Sequence, residues 1–247
     1  MSKYSICTYN ASEQPDVINW AKYFDHIYCI HYLPYQDRLE PLKKELNRVG
    51  ILNSGIFEFY WTYPYPFYNI IRKTSVLKNI LFVNGNVKAT TNLALTNYRI
   101  MKEAYDQDYQ RVLVLEDDVL FLHDICKIKE MLEHMPEEWD FIQFDRAYPN
   151  EHMKHSPYSD YYCCDYHGGY TSAACNAYTK KGLQAGITLM EQGLYVNDRL
   201  LANNKDADDM SLKRYVATYN IVKQDNRDYD DGYRPLLDLN DFYPRLA

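Results

Sequence analysis

The chain has 247 residues, of which 47% are hydrophobic and 25% charged, with Lys+Arg 27 against Asp+Glu 34 and a formal net charge of -7. That balance belongs to a globular chain with a core and excludes a disordered tail, a collagen-like repeat and a coiled-coil rod. The negative balance argues against a nucleic-acid partner held by bulk charge, and no apolar run is long enough for an integral membrane segment.

In chain order, residues 1–24 are mixed and polar, and are expected to pack on the domain as an N-terminal extension. His26 to Tyr32 is β-branched and aromatic and predicts a strand. Leu39, Leu42, Leu46 and Val49 step at helical spacing, and Gly50 stands where a helix stop is expected. Ile56 to Trp61 predicts the next strand, which Tyr63-Pro64-Tyr65-Pro66 cannot continue in a central position. Residues 67–90 read as a loop with a short helix, and from Thr91 a stripe of Ala94, Tyr98, Met101 and Tyr105 marks a helix.

Val112-Leu113-Val114-Leu115 is apolar on both faces, the pattern of a central strand covered by helices. Asp124 is placed to cap a helix carrying Ile125, Ile128 and Leu132. Trp139 to Phe144 predicts a strand, residues 145–167 a long, irregular, Tyr-rich excursion, and Ala173 to Tyr178 another strand. Thr179 opens a helix running to about Met190, and beyond residue 203 helices and loops are expected. Strand and helix alternate, so the expected fold class is α/β with a mostly parallel sheet flanked by helices, as a single domain over 1–247 with 203–247 as its C-terminal region.

The six cysteines, Cys7, Cys29, Cys126, Cys163, Cys164 and Cys175, form no CxxC pair, so free thiols in a reducing compartment are expected. The first residues lack the long apolar stretch of a signal peptide, and a cytoplasmic protein is expected. No GxGxxG, P-loop or HExxH motif is present.

The most informative stretch is Glu116-Asp117-Asp118, directly after the apolar strand. In open α/β sheets ligands bind at the carboxyl ends of strands. Adjacent carboxylates repel unless a positive group sits among them, and Mg²⁺ or Mn²⁺ takes carboxylates together with substrate phosphates. In an extended segment Glu116 and Asp118 point one way and Asp117 the other. A solvated acidic turn is the plain alternative.

The triplet resembles the acidic motif of glycosyltransferase family 25, which includes lipooligosaccharide and collagen galactosyltransferases. Further pieces of the resemblance follow in order over roughly residues 26–225. They are Ile27 to Tyr32 with Asp37-Arg38, Ala94-Leu95-Thr96-Asn97, Ala177-Tyr178 with Lys180-Lys181-Gly182, Asp198 in Val-Asn-Asp-Arg-Leu-Leu, and Ile221 to Gln224. The sequence departs from the family at His31-Tyr32, where the family has Asn-Leu, and at Thr96-Asn97, where it has Ser-His. Ala207-Asp208-Asp209-Met210 fits the later Asp motif nearly as well as the segment around Asp198.

The resemblance implies a GT-A-type, Rossmann-like fold and a divalent-cation-dependent transfer of a hexose, galactose or glucose, from a UDP-sugar, with inversion. The implied acceptor is a glycan, a lipooligosaccharide or a collagen-like hydroxyl. It implies metal ligation by Asp118 and Glu116, with His167 as a further ligand. Donor contacts fall to Arg38, Thr96, Asn97, Glu116 and Asp117. The general base falls to Asp198, with Asp208 and Asp209 as substitutes. A non-catalytic sugar- or nucleotide-sugar-binding protein on the same fold, or a metal-dependent phosphoesterase, are the alternative readings.

Overall fold

The computed structural model describes residues 17–62, 87–145, 156–164, 173–192, 200–201 and 209–224. Its centre is an eight-stranded sheet with the order β2-β1-β3-β8-β5-β9-β7-β6. The strands are β1 (His26–Tyr32), β2 (Phe57–Thr62), β3 (Arg111–Leu115), β5 (Phe141–Gln143), β6 (Ser156–Pro157), β7 (Tyr162–Cys164), β8 (Cys175–Thr179) and β9 (Arg214–Ala217). Strands β4 (Val119–Phe121) and β10 (Val222–Gln224) form a separate antiparallel ribbon. Only β8 and β7 run against the direction of the rest. The carboxyl ends of β1, β2, β3, β5 and β9 therefore share one edge.

Helices cover both faces, as the alternation of elements predicts. They are α1 (Gln36–Arg48), α2 (Val87–Asp106), α3 (Ile125–Glu133) and α4 (Lys180–Glu191). Leu42 and Leu46 of α1 and Ile128, Met131 and Leu132 of α3 pack with Ile27, Cys29, Leu113, Leu115 and Ile142 on one face. Ala94, Ile100, Met101 and Ala104 of α2 and Leu183, Ile187 and Met190 of α4 pack with Tyr28, Val112, Val114 and Phe141 on the other. Each large aliphatic side chain so buried contributes about 1.5–3 kcal/mol.

Local chemistry sets the helix ends. Asp124 accepts from the Lys127 amide at 2.8 Å, and Thr179 from the Gly182 amide at 3.2 Å. After α1, Gly50 takes φ +78°, the left-handed conformation that ends a helix and that other residues adopt at a cost. The segment before β1 is held by Trp20, whose indole donates to the Val49 carbonyl at 2.8 Å. Among the described residues no helix is long and apolar enough to cross a membrane.

Three expectations are corrected. The excursion from 145 to 167 is not irregular throughout: Tyr158 and Ser159 amides turn back onto the Tyr162 carbonyl, and the hairpin β6–β7 extends the sheet past β9. The region after 203 is not helix and loop alone, because β9 pairs in parallel with β5 inside the main sheet and β10 pairs with β4. Strands of two to four residues are too short to show a period. Helix α2 also starts earlier than Thr91, at Val87.

Candidate active site

Glu116, Asp117 and Asp118 form the turn between β3 and β4 at the carboxyl edge, and three anchors fix it. The Glu116 amide donates to the Ala174 carbonyl at 3.0 Å, tying the turn to the start of β8. Strand β4 is bound to β10 on one side and to α1 on the other. There Glu45 accepts from the Phe121 amide at 2.8 Å, while Arg48 donates to the Phe121 carbonyl at 3.0 Å and pairs with Glu45 at 2.6 Å. The third anchor is Asp117 itself, which accepts from the Tyr32 amide at 2.9 Å at the end of β1.

The positive group that the triplet requires is Arg38, from the first turn of α1. Its Nη1 lies 3.1 Å from Asp117 Oδ1 and 3.7 Å from Asp118 Oδ2. The guanidinium packs over the Tyr35 ring at 4.5 Å from its centroid. Burial would lower the Arg38 pKa, but Asp117 and Asp118 outweigh it and push it up, so the side chain stays a cation.

Glu116 and Asp118 are both buried at this edge, each 9% exposed. Asp117 is aimed at β1 and α1, and Asp118 also reaches Arg38 of α1 at the longer distance. Beside Asp117 lies His31, fully buried, with Nδ1 3.0 Å from Asp117 Oδ2 but without hydrogen-bond geometry. Half-exposed Trp61 packs edge-on to His31, with ring centroids 5.3 Å apart. Cys29 lies below the turn, 3.8 Å from the Glu116 carbonyl. Burial first, and the three carboxylates second, hold its thiol well above the usual range, so it is a neutral packing group and not a nucleophile.

Thr96 and Asn97 are buried. Thr96 donates to the Thr62 hydroxyl at 3.1 Å, where β2 ends, and Asn97 is turned onto its own helix, donating to the Leu93 carbonyl at 3.1 Å. A cavity of about 300 Å³ opens beside them, lined by Glu58, Phe59, Tyr60, Trp61, Thr62, Thr96 and Arg99. Asp209 is exposed and lies in the turn leading into β9, towards the opposite edge of the sheet from the acidic turn. Asp198, Asp208 and His167 lie outside the described residues.

Sequence reasoning did not single out Asp145. It follows β5 as Glu116 follows β3, is 2% exposed, and accepts from the Cys175 amide at 3.2 Å. A carboxylate just past an apolar strand was the available signal.

The donor set fits a hard cation in kind: two buried carboxylates supply oxygen ligands. Among the described residues no three His, Cys, Asp or Glu side chains are grouped to hold a metal. A cation here would thus need substrate oxygens to complete its shell, as Mg²⁺ and Mn²⁺ commonly use.

No protein-family model matches the chain, and no curated protein matches it by sequence. Solved structures similar to it include a glycosyltransferase involved in the glycosylation of the major capsid of PBCV-1. That structure is 11% identical, over 77% of this chain and 80% of the other, with a TM-score of 0.43. A mannose-1-phosphate geranyltransferase from Thermus thermophilus is 12% identical, over 81% of this chain and 75% of the other, with a TM-score of 0.40.

Proposed function

We propose that the chain is a GT-A-type glycosyltransferase, close in plan to family 25. It moves a hexose, galactose or glucose, from a UDP-sugar to a hydroxyl of a glycan, lipooligosaccharide or collagen-like acceptor. The observation that carries this reading is the acidic turn at the carboxyl edge, where Asp117 is tied to Arg38 and buried Glu116 and Asp118 flank it.

The division of labour follows from charge. Arg38 is a fixed cation whose planar fork suits phosphate oxygens, and it would meet the donor diphosphate. Asp117 orients Arg38 and the end of β1. Asp118, with Glu116, would hold Mn²⁺ or Mg²⁺; when bound, the cation offsets the charge that develops on the leaving diphosphate. Asp198 would take the proton of the acceptor hydroxyl as its oxygen attacks the anomeric carbon and the bond to the diphosphate oxygen breaks. Asp208 is the substitute base, and the exposed position of Asp209 makes it the weakest of the set.

Incubation with UDP-galactose or UDP-glucose, Mn²⁺ and a mixed glycan acceptor tests this reading. Release of UDP that depends on acceptor is expected. Binding of UDP-sugar with no release would favour the non-catalytic binding protein, and no binding at all would overturn the reading.

A further inference from the structure

The carboxyl edge holds a second group of polar side chains that the acidic turn does not explain. By register, Asn176 of β8 pairs with Val114 of β3 and with Gln143 of β5, and Tyr178 pairs with Val112 and Phe141. Paired residues share a face. Tyr28, Val112, Val114, Phe141 and Tyr178 identify it as the face packed on α2 and α4. Two residues past Val114 comes Glu116, and two past Gln143 comes Asp145, so both continue the same face.

Gln143 is 0% exposed, Asp145 2%, Asn176 3% and Glu116 9%. Burying polar groups together is costly unless they are hydrogen-bonded. Part of the set is bonded: the Cys175 amide donates to Asp145, and Asn176 interacts with the Tyr178 hydroxyl. The Asn176 side-chain oxygen, however, is buried with no hydrogen-bond partner. A purely structural network would be closed, because native interiors rarely leave such an atom unmatched.

We infer that Asn176, with Gln143 and Asp145, forms a subsite that reads the hydroxyls of the transferred sugar. The inference rests on the glycosyltransferase reading and adds to it the part of the donor recognised here. A carboxylate and two amides offer acceptors and donors together, which matches hydroxyls. A diphosphate offers only acceptors and negative charge, which Asp145 would repel. The polyol half of the donor therefore belongs on this side of Glu116, and the diphosphate on the Arg38 side. A site built to hydrogen-bond a hydroxyl discriminates strongly once one partner is lost, because the others are left unmatched.

Calorimetric titration of the full chain with UDP, UDP-galactose and UDP-glucose in Mn²⁺ tests the subsite. The wild type is expected to bind one UDP-hexose more tightly than UDP. Asn176→Ala is expected to leave UDP affinity within about twofold and to reduce the preference for that UDP-hexose about tenfold. Asn176→Ser, which keeps a small polar group, is expected to do the same, and it carries the test if the alanine variant fails to fold. A wild type that binds UDP but shows no preference for a hexose, or folded variants that keep the full preference, would overturn the subsite alone. Failure of the wild type to bind UDP at all would overturn the glycosyltransferase reading and the subsite with it.

Discussion

Arg38 Nη1 stands between Asp117 Oδ1 at 3.1 Å and Asp118 Oδ2 at 3.7 Å, so one cation answers two carboxylates with different duties. Asp117 also holds the Tyr32 amide, and its loss would loosen β1 and the turn together. Asp118 meets Arg38 at the longer of the two distances, and the turn keeps its anchors at Glu116, Asp117 and Phe121 without it. Asp118→Ala is therefore expected to leave the protein folded while lowering affinity for UDP in Mn²⁺ at least about tenfold, a loss typical of a charge-assisted contact. Calorimetry on the variant checks this, and unchanged affinity would remove Asp118 from the site.

His26 is a partly buried titratable group away from the site. Its ring is stacked on Tyr109 at 5.0 Å and lies 3.5 Å from Glu58. Burial lowers its pKa below the ordinary 6.5, against the opposing pull of Glu58. As pH falls the unfolded chain takes up this proton first. The stabilisation is thus present above about pH 6.5 and is lost as pH falls through the lower, folded value. His26→Phe is expected to flatten the decline in stability between pH 7 and pH 5, measured by urea unfolding against the wild type. Parallel curves would show that the ring does not titrate in this way.

At the scale of elements, α4 is set by two close approaches. A Cβ on Gly182 would meet the Asp140 carbonyl oxygen at 2.0 Å, whereas one on Gly186 would meet the Met101 sulfur at 2.7 Å. The first obstacle is backbone, itself fixed because Asp140 receives the Thr179 and Lys213 amides and pairs with Lys181. The second is the end of a flexible side chain. Gly182→Ala is expected to destabilise by about 1–3 kcal/mol and Gly186→Ala by clearly less, read from thermal unfolding of the pair. Equal losses would contradict this difference.

Sequence pattern is a good guide to such elements where they are long. The stripe through Leu42 and Leu46, the caps Asp124 and Thr179, and the apolar run into Glu116 all stand where periodicity and local chemistry put them. It is a poor guide to β6, β7 and β9, whose few residues carry no readable period. The acidic turn is legible because three charges follow an apolar strand. Asp145 does not stand out in the same way, although it is one carboxylate in the same kind of place. Asn176 is hidden too, since a single amide inside an apolar strand marks nothing until its neighbours across the sheet are known.

At the scale of the whole molecule, strand direction is what the sequence does not carry. Nothing in Cys175 to Thr179 distinguishes a strand that runs with β3 from one that runs against it, yet β8 is antiparallel to both its neighbours. That reversal brings Ala174 and Asn176 to the edge where β3 and β5 end, and sends Thr179 and α4 to the other. On the proposed function, the site is thereby assembled from segments far apart in the chain, and a base is to be sought among later residues. Asp198→Asn is expected to lower turnover of UDP-hexose about a hundredfold or more while UDP affinity holds, as for a group acting only in the transition state. If Asp208→Asn has that effect and Asp198→Asn does not, the base is Asp208.

The reversed strand also sets a schedule for synthesis. The partial sheet β2-β1-β3 can form once residue 115 is made, but β3 keeps an open side until β8 arrives at residues 175–179. At a translation rate of about 5–20 residues per second, that interval lasts roughly 3 to 13 seconds. Throughout it a strand that is apolar from Val112 to Leu115 offers an unfilled edge, the feature that most readily recruits other chains. A fragment ending at residue 172 is accordingly expected to aggregate or to recruit chaperones, and one extended through β9 and β10 to remain in solution. The passage from vulnerable to safe nascent chain thus has two steps, the pairing of Cys175 to Thr179 with β3 and the later pairing of β9 with β5.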